Sequence, residues 1–151
     1  MTRILDLSHH NKITNLDKID DFVILKCTGG DGFLDPTFKE RRDFFRKKGL
    51  YIGCYHFAGR YVNKVFIPQD PIKEADWFLK NAEWKQGEVL FLDWEVNHSD
   101  PVGWCKKWLD AVYKETGKRA YIYLNESTTN KFDWSPISNN HKLWIAKYST
   151  Q

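Results

Sequence analysis

The sequence predicts an α/β protein built on a parallel sheet, and three observations carry that prediction. Asp35-Pro36, Asp70-Pro71 and Asp100-Pro101 each precede an amphipathic stretch that closes on Gly49, Gly87 or Gly117. A strand-like run follows each of those glycines. One of these runs, Val89-Leu90-Phe91-Leu92 before Asp93-Trp94-Glu95, is continuously apolar, as a strand buried on both faces must be. Strands that alternate with helices in this way make a parallel sheet, either open or closed into a barrel.

Each element has its own justification. Arg3 to Leu7 and Phe22 to Thr28 read as the first two strands, rich in Ile, Leu, Val and Phe. Asp is a favoured N-cap, Pro suits the first helical turn, and Gly suits the left-handed position after the last. The first helix places Phe38 and Phe45 inward, and a third strand runs from Leu50 to Phe57. The second helix carries Ile72, Ala75, Leu79 and Ala82 on one face, and leads to the strand Glu88 to Glu95. In the third, Cys105, Trp108, Leu109 and Val112 fall at i, i+3, i+4 and i+7. Arg119 to Leu124 and Lys142 to Tyr148 are the fifth and sixth strands.

Composition narrows the function classes. A chain of 151 residues, 42% hydrophobic, is expected to form one domain spanning residues 1–151. Seven Trp, seven Tyr and ten Phe supply core packing and flat apolar surfaces of the kind that hold sugar rings or bases. The net charge is only +3, and no nucleic-acid motif accompanies the basic residues, so no nucleic-acid partner is expected. Arg41-Arg42 and Arg46-Lys47-Lys48 are expected to form a solvated helix face. Cys27, Cys54 and Cys105 lie in apolar surroundings without metal-type spacing, as buried free thiols would. Strand-like residues begin at Ile4, so no signal peptide is expected. No apolar stretch reaches membrane-spanning length, so no membrane insertion is expected either.

The chemistry collects at strand ends: Asp6 and Ser8, Lys26 and Thr28, Tyr55 and His56, Asp93 and Glu95, Tyr123, Tyr148. In barrels, the C-terminal ends of the strands build the active site. Asp93 and Glu95 share a face of their strand, roughly 7 Å apart at the backbone. Two carboxylates so close, at the mouth of a buried strand, read either as an acid/base pair in which one pKa is pushed up while the other group stays ionised, or as a strand end whose charges escape into solvent.

Five ordered segments then resemble the family-25 glycoside hydrolases, the lysozymes (muramidases) common among bacteriophage endolysins. They are Ile4-Leu5-Asp6-Leu7-Ser8-His9-His10-Asn11, Phe22 to Thr28 with Asp35-Pro36, Gly53-Cys54-Tyr55-His56-Phe57-Ala58, Leu92-Asp93-Trp94-Glu95, and Leu143-Trp144-Ile145-Ala146-Lys147-Tyr148. The resemblance implies an irregular (β/α) barrel that hydrolyses the β-1,4 bond between N-acetylmuramic acid and N-acetylglucosamine in bacterial peptidoglycan. It implies Glu95 as proton donor, Asp93 as the residue that orients the substrate acetamide, and Asp6 as further negative charge. It implies substrate contacts from Lys26, Tyr55, His56, Tyr123 and Tyr148, and no cofactor. It also implies synthesis in the bacterial cytoplasm, with action on the wall after release. The family pattern continues for two more strands, so the domain is expected to be C-terminally incomplete. Its open edge is expected to invite self-association or a complementing chain.

Two other classes compete. A catalytically impaired glycan-binding module would not need Asp6, Asp93 and Glu95 together. Among enzymes, chitinase-like barrels require D-x-x-D-x-D-x-E, which the residues before Asp93 do not supply. A metal-dependent deacetylase would need Asp/His spacing that is absent from the sequence, and no metal is expected.

Overall fold

The computed structural model describes residues 3–146. Six strands lie side by side, each parallel to the next: β1 (Ile4–Leu7), β2 (Phe22–Gly29), β4 (Ile52–Phe57), β7 (Val89–Asp93), β8 (Tyr121–Asn125) and β9 (Leu143–Ala146). The two-residue β3 (Phe33–Leu34) folds back antiparallel on the end of β2. Parallel neighbours need long crossovers, and helices supply them. α1 (Phe38–Lys48), α2 (Pro71–Ala82) and α3 (Pro101–Thr116) connect β2 to β4, β4 to β7 and β7 to β8. The short α4 (Glu126–Lys131) and α5 (Ser135–Ser138) fill the passage from β8 to β9. All six expected strands are present with ends shifted by one or two residues, β2 and β8 each running one residue further than expected; beyond Ala146, the expected sixth strand lies outside the described residues.

Strand alternation divides the chain between two environments. Val23, Leu25 and Cys27 of β2, Leu90 and Leu92 of β7, and Ile122 and Leu124 of β8 are buried in the core shared with the helices. The helices answer with Phe38 and Phe45 from α1, Ala75, Phe78 and Ala82 from α2, and Trp104, Cys105, Trp108, Leu109 and Val112 from α3. Each large apolar side chain buried in this way contributes about 1.5–3 kcal/mol. The opposite faces of all six parallel strands line one cavity, through Asp6, Lys26, Tyr55, Phe91, Asp93, Tyr123 and Trp144 among others. A flat sheet could not do this, so the sheet is curled into part of a barrel wall.

Two of the three Asp-Pro signals act as expected. Asp70 accepts from the Ile72 and Lys73 amides, and Asp100 from the Gly103 amide, each with Pro in the first helical turn. Asp35 does not cap α1, whose N-cap is Thr37; it is buried in the loop ahead of the helix. Gly49 and Gly117 are left-handed C-caps, but α2 ends on a left-handed Glu83, and Gly87 belongs to the turn before β7. Ile72, expected in the core, is exposed; Phe78 and Glu74 take the inner positions of α2.

The basic residues of α1 are not a solvated face. Arg41 is buried and donates to the carbonyls of Ser8 (2.8 Å) and Asn11 (2.5 Å), which ties down the loop after β1. Arg42 is buried against Phe38 and donates to the Ala82 carbonyl, and Arg46 grips Glu88 with two nitrogens. Cys27, Cys54 and Cys105 are buried free thiols, as the sequence predicts.

The sequence reading contains no counterpart of β5 (Arg60–Val62) and β6 (Val65–Ile67), which form a separate hairpin. Its two-residue turn, Asn63-Lys64, has positive φ at both positions, the geometry that matches the twist of hairpin strands. Glu74 holds the feet of this hairpin, accepting from the Gly59 amide at 3.0 Å and the Gln69 amide at 2.6 Å.

Candidate active site

β7 delivers Asp93 to the cavity, and the backbone beyond it is fixed from both sides. The Ala58 amide donates to the Asp93 carbonyl, and the Trp94 amide donates to the Tyr123 carbonyl, both at 3.1 Å. Trp94 is fully buried against Trp104, with ring centroids 5.1 Å apart, which locks the residue between the two carboxyls. The regular strand ends at Asp93, so Glu95 stands beyond it, exposed at the mouth.

Burial, the adjoining Glu95 carboxyl and the negative charge of Asp6 hold the Asp93 pKa well above the ordinary carboxylate range, against the opposing pull of Lys26. Asp93 Oδ1 is buried without a hydrogen-bond partner among the described residues. Asp6, on β1, is also raised, by burial and by Glu95, with Lys26 opposing.

Lys26 sits between the acids and an aromatic wall. Its ammonium lies 5.1 Å from the ring centroids of both Phe33 and Phe57. Burial lowers its pKa, and Asp35, Asp93, Glu95 and Asp6 work against that fall. The Tyr55 pKa is raised, by burial and by the surrounding carboxylates, so its hydroxyl stays neutral.

The cavity holds about 430 Å³ and brings together Asp6, Lys26, Tyr55, Asp93, Glu95 and Tyr123. Tyr148 lies outside the described residues. His56 is a correction: it is fully buried on the helix side of β4 rather than in the groove. Its Nδ1 is 2.8 Å from the Thr28 hydroxyl, its Nε2 is 2.8 Å from Glu74 Oε1, and its ring stacks on Trp108. The reason is alternation: Tyr55 occupies the cavity face, so the next residue must face the other way. Ser8 is in the lining too, and sequence reasoning missed His10, Phe57, Phe66 and Trp144 there. Phe57 was within reach, two residues beyond Tyr55 on the same strand.

Asp35 organises the loop beside the cavity. It accepts from the His9 amide, the Thr37 amide and the Thr37 hydroxyl, and pairs with the His9 ring at 2.8 Å. Burial disfavours its charge, but these hydrogen bonds outweigh burial and hold its pKa below the ordinary value.

The chain is 27% identical over 132 residues to the uncharacterized protein YegX of Escherichia coli (strain K12), covering 84% of this chain and 46% of that one. It is 26% identical over 143 residues to the N,O-diacetylmuramidase of Chalaropsis sp, covering 82% and 62%. In three dimensions it resembles the CTP1L endolysin with a TM-score of 0.80 at 25% identity, covering 99% of this chain and 54% of that one. The chain therefore spans about half the length of YegX and of the endolysin. The family model for glycosyl hydrolases family 25 matches residues 5–151, nearly the whole chain, and the protein belongs to that family.

Proposed function

We propose that this chain carries the catalytic centre of a peptidoglycan muramidase, which cleaves the β-1,4 bond from N-acetylmuramic acid to N-acetylglucosamine. The observation that carries the reading is the placement of Asp93 and Glu95 at the mouth of a cavity that also holds Asp6. The family and the muramidase relative support the substrate class.

The reaction needs a proton at the leaving oxygen, and burial with the neighbouring acids favours the protonated form of Asp93. When a sugar's acetamide group settles beside Asp93, its N–H gives an ionised Asp93 a hydrogen bond, and the proton passes to Glu95. Glu95 then protonates the leaving glycosidic oxygen as the acetamide oxygen attacks the anomeric carbon. The C–O bond breaks, the N-acetylglucosamine product leaves as an alcohol, and the positive ring intermediate is stabilised by Asp93 and Asp6. Water then attacks the anomeric carbon, returns its proton to Glu95 and reopens the acetamide. Two displacements at one carbon give net retention, a substrate-assisted route distinct from the usual pair of carboxylates.

The test is to digest purified bacterial walls, reduce the new chain ends with borohydride and identify the reduced sugar. Reduced muramic acid is the expected product. Glu95→Gln should slow its release about 10²–10⁴-fold with folding intact, because an amide cannot donate the proton. Binding to walls without new ends would instead identify a glycan-binding module. Unchanged turnover in Glu95→Gln would remove Glu95 from the acid role.

A further inference from the structure

A second cavity of about 760 Å³ adjoins the first and shares Lys26, Phe57, Phe66 and His10 with it. The two linings differ sharply in charge. The first contains three carboxylates, Asp6, Asp93 and Glu95. The second contains none; its ionisable side chains are Lys26, Arg60, His9, His10 and Tyr61. Its walls are aromatic: Phe57 and Phe66 rings meet at 4.7 Å, Phe66 and Tyr61 at 4.9 Å, and Phe33 closes the side nearest Lys26. Arg60 applies Nε and one terminal nitrogen to Asp31, yet its side chain remains 55% exposed. His9 is engaged with Asp35. Lys26 and Arg60 therefore carry the positive charge that a ligand would meet.

We infer that this second lobe receives the carboxylate-bearing arm of the glycan, the lactyl group of muramic acid or the peptide stem attached to it. This rests on the muramidase reading above and specifies where the anionic part of that substrate goes. A β-1,4 chain of N-acetylated sugars is neutral, so the first lobe can hold it. The lactyl carboxylate or the acidic stem is anionic, and Asp6, Asp93 and Glu95 repel it. The adjoining lobe offers the opposite sign, with ring faces for the apolar parts of a short peptide. The hairpin forming its outer wall is held at both feet by the buried Glu74, so the lobe is preformed.

Calorimetric titration of the intact chain with three tetrasaccharides tests this: a neutral N-acetylglucosamine oligomer, a stem-free muramyl glycan with its lactyl carboxylate, and the same glycan with peptide stems. The carboxylate-bearing ligands should bind about three- to tenfold tighter than the neutral one, a range set by partly exposed charged contacts. An advantage already complete in the stem-free glycan identifies the lactyl group, and one that appears only with stems identifies the peptide. Arg60→Gln should reduce the advantage, and Arg60→Lys should retain most of it. Equal affinity for all three ligands overturns the second lobe and leaves the cleavage reading standing. No binding by any of them overturns both. An equal loss for all three ligands in Arg60→Gln also overturns the inference, since it would mark a structural role for Arg60.

Discussion

Glu74 and Asp93 are both carboxylic acids drawn into the interior of this protein, and their surroundings treat a negative charge in opposite ways. Glu74 sits on α2, fully buried, with the Gly59 and Gln69 amides and the His56 ring around its two oxygens. Asp93 ends β7 among other acids, with one oxygen unpartnered and its pKa driven upward. Glu74 is surrounded by donors, whereas Asp93 is surrounded by other carboxyls, with Lys26 opposing them. The contrast distinguishes an acid held as a girder from one whose surroundings favour a proton, and it can be broken by experiment.

The largest effect is expected at Glu74. Glu74→Ala leaves two backbone amides and the His56 ring without their acceptor, and should lower stability by about 3–5 kcal/mol, since each buried donor left unsatisfied costs about 1–3 kcal/mol. Denaturant unfolding measures this directly. A loss below about 1 kcal/mol would show that water replaces the carboxylate easily and that the girder is incidental.

Asp93→Asn should do the reverse to the fold. It removes a buried, repelled acid and keeps the shape, so stability should change by less than about 1 kcal/mol or rise, while wall cleavage falls. A destabilisation as large as that of Glu74→Ala would erase the distinction between the two acids.

The smallest effect is a slope. The folded-state pKa values of Asp93 and Asp6 lie above their unfolded values, so the folded chain holds more protons than the unfolded chain between the two. Their contribution to stability is complete below the unfolded carboxylate pKa, about 3.9, and is lost as pH rises through the folded values. Asp35, held low, works in the opposite sense and loses its contribution as pH falls through its folded value. Melting temperature against pH should therefore decline less on the neutral side in Asp93→Asn than in the wild type. Parallel curves would mean that Asp93 titrates alike in both states.

The sequence made Asp93 legible and hid Glu74, for physical reasons. Asp93 and Glu95 interrupt a fully apolar run, and charge at the end of a buried strand is visible one residue at a time. Asp6, Lys26, Tyr55 and Tyr123 obey the same rule and line the same cavity. Glu74 sits in an ordinary helical pattern, and its partners Gly59, Gln69 and His56 come from the chain before α2, so only the fold reveals it. His56 was misplaced because β4 is buried on both faces, which masks the alternation that should have opposed it to Tyr55. The β5–β6 hairpin escaped because Lys64 occupies a left-handed position where glycine usually advertises the turn. Asp35 carried the same dipeptide as two true caps, and its loop contacts with His9 and Thr37 decided otherwise.

The three buried cysteines have a practical consequence. Burial pushes the Cys54 thiol up to about 12 and raises Cys27 and Cys105 as well, so in the native state none offers an appreciable thiolate at neutral pH. Alkylating reagents therefore have to wait until the interior opens. Cys27 and Cys54 lie on neighbouring strands and Cys105 on α3, so their labelling rates report the opening of different parts of one core. The protein carries a built-in clock for its own unfolding, readable by mass spectrometry without adding a single probe.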